Sequence, residues 1–122
     1  MKILGIGKNF VIDKSEIESI KDGVQVIFSK PESSLVLDNQ DVTYPSEIND
    51  IRYEVELVLK IGKKGKNIEI ASASDHISEL ALGIDFTAKD ILDLYRAKKG
   101  PWDLAKGFDG AAPISSFKPI AN

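Results

Sequence analysis

The stretch from Ile51 to Ile61 constrains this chain most. Ile51, Tyr53, Val55, Leu57, Leu59 and Ile61 alternate with Arg52, Glu54, Glu56, Val58 and Lys60. A sustained period of two places the first set on one face of a β-strand and the second set on the other. The strongly apolar first face predicts a central element of the fold. The second face is polar and carries two carboxylates.

Other segments are shorter. Met1 to Ile6 predicts a strand ending at Gly7, and Lys14 to Lys21 a weak helical turn or two from the spacing of Ile17 and Ile20. Val24 to Ser29 reads as a strand closed by Lys30 and Pro31, since proline cannot donate a ladder hydrogen bond. Leu35 to Leu37 is a further short strand, and Asp38 to Asp41 is turn chemistry. Ser72 to Leu82 predicts a helix, with Ile77, Leu80 and Ala81 at helical spacing, Ser72 or Ser74 as N-cap and Gly83 as its end. Ile84 to Phe86 follows as a short strand. A second helix opens at Thr87, with Asp90 completing a capping box, and stops at Gly100 and Pro101. Trp102 to Pro113 reads as irregular, and Ile114 to Ile120 as strand-like. Strands outnumber helices without regular alternation, so the expected class is α+β, mainly β, in a single domain over residues 1–122.

Composition enters where it excludes chemistry. The chain has no cysteine, so disulfides, thiolate metal sites and cysteine nucleophiles are ruled out. A metal would need oxygen ligands or the single histidine, His76, which reads as a solvated helix residue. A net charge of −3 offers no basic excess for nucleic acid or an anionic membrane surface. The N-terminal apolar run is too short for a signal peptide, and no stretch approaches the ~20 apolar residues that span a bilayer. A cytoplasmic protein is expected, with no nucleic-acid or membrane partner.

Glu54 and Glu56 leave the same strand face with Cα atoms roughly 6.5–7 Å apart. Side chains of that length can converge on one hard cation such as Mg²⁺, Mn²⁺ or Ca²⁺. A solvent-facing strand, its charges offset by Arg52 and Lys60, is the competing reading. Asp85 lies among apolar neighbours as a buried, capping or functional carboxylate. Lys106 stands in a small-residue loop that would let it approach a ligand. For Lys106 and Lys30 alike, a surface lysine is the default.

Several segments, in order, resemble the fumarylacetoacetate hydrolase family. They are Gly7 to Phe10; Phe28 to Ser34; Tyr53 to Leu57, close to the family's Tyr-Glu-x-Glu-Leu metal strand; Gly83 to Asp90; and Trp102 with Ala105 to Asp109 and Ala112 to Ile114. The resemblance implies a β-roll, apparently incomplete at its C-terminal end, because the family's catalytic domain continues into a part this chain lacks. It implies metal ligands at Glu54, Glu56 and Asp85, usually for Mg²⁺ and sometimes for Mn²⁺ or Ca²⁺. It carries the active-site lysine onto Lys106 and substrate contacts onto Lys30 and Asp109. The family's usual histidine position holds Asp13, and Glu16 holds its glutamate partner. These two are the candidate base pair, or else a surface acidic pair. The implied activity is hydrolysis, decarboxylation or keto–enol isomerisation of a small β-diketo or 2-oxo acid by a homo-oligomer, with a dimer expected. A catalytically incompetent module with a binding or assembly role is the alternative.

Overall fold

The computed structural model describes every residue except Val24, Asp38, Ala121 and Asn122. The expected strand start at Val24 and the expected turn residue Asp38 lie outside the described residues. Strands β1 (Ile3–Gly7) and β2 (Val26–Lys30) form an antiparallel pair, Ile3 opposite Lys30 and Gly7 opposite Val26. Between them a 3-10 turn, Lys14–Glu16, runs into helix α1 (Ile17–Asp22). Pro31 ends β2 as expected. A second 3-10 turn then leads to β3 (Leu35–Val36).

The alternating stretch forms β4 (Ile51–Ile61), with the bounds its periodicity predicts. Its partner is β5 (Ile77–Ala88), antiparallel along almost its whole length. This corrects the predicted helix over Ser72 to Leu82. The segment begins as a 3-10 turn, Ile70–His76, and becomes strand. Leu80, Leu82, Ile84 and Phe86 also alternate with period two. The helical spacing of Ile77, Leu80 and Ala81 competes with it in a short apolar run, where periodicity alone does not decide. Pairing against eleven residues of β4 settles the matter. Gly83 is therefore mid-strand, not a helix end. A Cβ there would lie 2.7 Å from Val58 Cγ2, so glycine leaves room for the Val58 side chain on the same face.

Helix α2 (Lys89–Ala97) follows β5 directly. The predicted capping box does not form: Ala88 holds the N-cap position, with no side-chain cap. Helix α3 (Asp103–Lys106) is a single turn where an irregular loop was expected. β6 (Ala112–Pro113) pairs in parallel with β3, and β7 (Lys118–Pro119) pairs antiparallel with β5. In the three-stranded sheet the order is β4–β5–β7, so β5 is central and β4 is an edge among the described residues, contrary to expectation.

The buried residues gather on the polar face of β4 and β5. Ala81, Asp85 and Thr87 are buried there, with Leu92 of α2 and Ala105 and Lys106 of α3 nearby in the buried set. The core thus lies beneath the face that carries the carboxylates. The fold is mixed α and β, with more strand than helix.

Candidate metal centre

Antiparallel register sets Glu54 directly opposite Asp85 and Glu56 opposite Gly83. Opposed residues in such a pair share a face. Oxygens of Glu54, Glu56 and Asp85 consequently lie within 4.8 Å of one another. The capping reading of Asp85 fails because the residue is mid-strand. Its side chain is 9% exposed, whereas that of Glu54 is 58% exposed. The site is therefore closed on the Asp85 side and open on the glutamate side.

Lys106 reaches this trio from the last residue of α3. Its Nζ donates to Glu54 Oε2 at 2.8 Å, to Thr87 Oγ1 at 2.6 Å and to Asp85 Oδ2. It also sits 4.8 Å from the centre of the Phe28 ring, a cation–π distance. The Thr87 hydroxyl, expected to cap a helix, serves this lysine instead. Gly107 lets the helix end approach β2, since a Cβ there would meet Pro31 Cδ at 2.9 Å.

Lys30 approaches Asp85 from the other side, 2.8 Å from Oδ1. Its ammonium also donates to the carbonyl oxygens of Phe86 (3.1 Å), Ala111 (3.0 Å) and Lys106. A lysine has three N–H donors, and three carbonyls take them. The Asp85 contact is an ion pair at hydrogen-bonding distance, so Asp85 Oδ1 is a fourth oxygen around the same ammonium. Three carboxylates with oxygens this close together, one of them buried, are a donor set that fits a hard cation. Burial pushes the Lys30 ammonium below its ordinary pKa, against the pull of Asp85. Burial, with the charges of Asp85 and Glu54, raises that of Glu56.

A cavity of about 340 Å³ opens over the carboxylates, within the range typical of small-molecule sites. Phe28 and Trp102, ring centres 6.1 Å apart, form part of its wall. Lys8, Arg52, Lys89 and Arg96 join Lys106 in its lining. Arg52 pairs with Asp50 and Lys89 with Asp93, while the Arg96 guanidinium stacks 4.6 Å above Trp102. Sequence reasoning missed Lys8 and Arg96 as site residues, because no spacing rule links them to β4.

The remaining candidates do not join this group. Asp13 caps the first 3-10 turn, accepting from the Ser15 N–H at 2.8 Å, a bond that lowers its pKa. Asp13 and Glu16 are exposed, and neither lines the cavity. Asp109 is exposed on the turn after α3 and also lies outside the lining. Lys30, expected to touch substrate, has its donors committed to protein carbonyls. His76 is half-buried at the end of a 3-10 turn, Nδ1 2.9 Å from the Lys63 carbonyl, and not in the predicted helix.

The family described as fumarylacetoacetate (FAA) hydrolase C-terminal matches residues 2–121. The chain belongs to the fumarylacetoacetate hydrolase family. Its relatives include a mitochondrial oxaloacetate decarboxylase of Dictyostelium discoideum, 38% identical over 97% of this chain and 55% of that protein. A mitochondrial oxaloacetate tautomerase of Bos taurus is 32% identical over 96% of this chain and 53% of that protein. Among solved structures, a fumarylpyruvate hydrolase of Pseudomonas aeruginosa in complex with Mn²⁺ and pyruvate superposes with a TM-score of 0.86. It is 30% identical, over 98% of this chain and 53% of that one. The chain spans about half the length of the curated relatives it matches. No helix among the described residues is long and apolar enough to cross a membrane.

Proposed function

We propose that this chain forms the metal-binding part of an enzyme acting on a small, anionic β-diketo or 2-oxo acid. The convergence of Glu54, Glu56 and Asp85 at the base of a cavity lined by cationic side chains carries this reading. When bound, a divalent cation supplies Lewis-acid polarisation of neighbouring substrate oxygens. Mg²⁺ and Mn²⁺ suit the all-carboxylate donor set, and the relative that binds Mn²⁺ and pyruvate supports both cation and substrate class. Lys106 contributes a fixed positive charge where negative charge develops on a substrate oxygen. Phe28 and Trp102 limit water at one wall, and Lys8 and Arg96 attract the carboxylates of the acid.

Asp13 and Glu16, the candidate base pair, stand outside the cavity, and the carboxylates that line it, Glu54, Glu56 and Asp85, are taken by the metal reading, so none is assigned to activate water. That favours decarboxylation or keto–enol isomerisation over C–C hydrolysis. The names of the two curated relatives agree with this order, while the fumarylpyruvate hydrolase structure keeps C–C hydrolysis as the second reading. The protein is further proposed to form a homo-oligomer, because β4 presents a long unpaired edge among the described residues.

Calorimetry with Mn²⁺ tests the metal reading. The wild-type protein binds with heat that Glu54→Ala abolishes, and binding raises thermal stability in proportion to saturation. No binding at millimolar Mn²⁺ would sink the proposal. Turnover of oxaloacetate in the presence of Mn²⁺ separates an enzyme from a non-catalytic binding module.

A further inference from the structure

Lys30 is 6% exposed, stands at the end of β2 and is not part of the cavity lining. The three carbonyls that it binds come from three places. Phe86 adjoins the carboxylate Asp85 on β5. Lys106 is the last residue of α3. Ala111 lies just before β6 and also accepts the Phe86 N–H at 3.0 Å. The Lys106 carbonyl belongs to a helix end, where oxygens lack intrahelical donors. One ammonium thus satisfies the backbone on both sides of the carboxylate cluster and pairs with Asp85 Oδ1 at 2.8 Å. We infer that Lys30 is a positioning residue: it locks the backbone flanking Asp85 and Lys106 and so holds the buried Asp85 carboxylate beside Glu54 and Glu56 at the cation site. This rests on the metal reading proposed above.

Two other roles give different results. A lysine acting only as a nearby positive charge repels a divalent cation, so its removal tightens cation binding. A lysine that contacts substrate leaves cation affinity unchanged when replaced and weakens only oxo-acid binding. A positioning residue lowers cation affinity when lost, since groups that hold metal ligands in place typically contribute about 10–100-fold.

The experiment compares Mn²⁺ affinity of the wild type, Lys30→Met and Lys30→Arg, using calorimetry on protein shown to be folded by circular dichroism. The inference expects Lys30→Met to bind Mn²⁺ at least about 10-fold more weakly. Lys30→Arg should fall between, because a planar guanidinium cannot reproduce three diverging bonds. Unchanged or tighter Mn²⁺ binding by folded Lys30→Met overturns the inference alone. Absence of Mn²⁺ binding by the wild type overturns the metal reading and this inference together. Should Lys30→Met fail to fold, acetylation of the native wild type, read by mass spectrometry, decides the question. Lys30 is expected to resist the reagent with or without pyruvate. Ready modification, or protection that appears only with pyruvate, overturns the positioning role.

Discussion

On one face of the β4–β5 pair, Ala81, Gly83, Asp85 and Thr87 are buried under α2, α3 and the end of β2. On the other face, Tyr53, Val55, Leu57 and Leu82 are 58–71% exposed. The composition of the two faces predicts the reverse. Burial follows what packs against a face, and here two lysines make burial of the polar face possible. Lys30 and Lys106 neutralise Asp85, and Lys30 also occupies three carbonyls that would otherwise be stranded, which an apolar cover could not do. The apolar face has no such cover among the described residues. The homo-oligomer proposed above would cover this patch, since large exposed apolar patches commonly meet another polypeptide.

The comparison is tested most severely at Lys106. Lys106→Met removes the donor shared by Glu54, Asp85 and Thr87 and should cost about 3–5 kcal/mol in metal-free buffer, the range for breaking a buried ion pair from one side. Urea unfolding measures it, and saturating Mn²⁺ should restore part of the loss. A change below about 1 kcal/mol would mean that the polar face is held by packing rather than by charge.

On the open face, Leu57→Asp should alter the stability of the dissociated protein by less than about 1 kcal/mol, because surface substitutions seldom do more. Its effect should appear in assembly. Sedimentation of the wild type is expected to show concentration-dependent association, and that of the variant a monomer. Equal association by both proteins would move the contact away from this face.

The smallest effect concerns Glu56, which is only half-buried. Its pKa in the native, metal-free protein lies above the ordinary 4.5, chiefly through burial and secondarily through Asp85 and Glu54. The native state therefore holds this proton more tightly than the unfolded chain. Glu56 contributes no penalty below about 4.5, and stability falls as pH rises through the interval up to its native pKa. Metal-free Glu56→Gln should be more stable than wild type at neutral pH, with the advantage disappearing toward pH 4.5. A constant difference across that range would show that the carboxylate charge is not the cause.

Much of the site was legible in order along the chain. The period-two pattern placed β4 to the residue and put Glu54 and Glu56 together, while the ordered family segments brought in Asp85 and Lys106. The helix expected over Ser72 to Leu82 failed because a short apolar run supports both periods, and only pairing with β4 chooses between them. Thr87 was misread for a related reason. A threonine before a helix caps it unless a stronger donor is near, and Lys106 approaches from nineteen residues away in sequence. Asp13 stands where the family usually has a histidine and Glu16 at its glutamate position, and both lie on an exposed turn away from the cavity.

By itself, the sequence determined which residue types could bind a cation and which strand would carry two of them, because side-chain alternation is a local property of the backbone. Only the tertiary structure decided which face would be buried, where Lys30 directs its three donors and which side chains surround the cavity. Those outcomes depend on contacts between residues up to 81 positions apart, and no local pattern encodes distances of that kind.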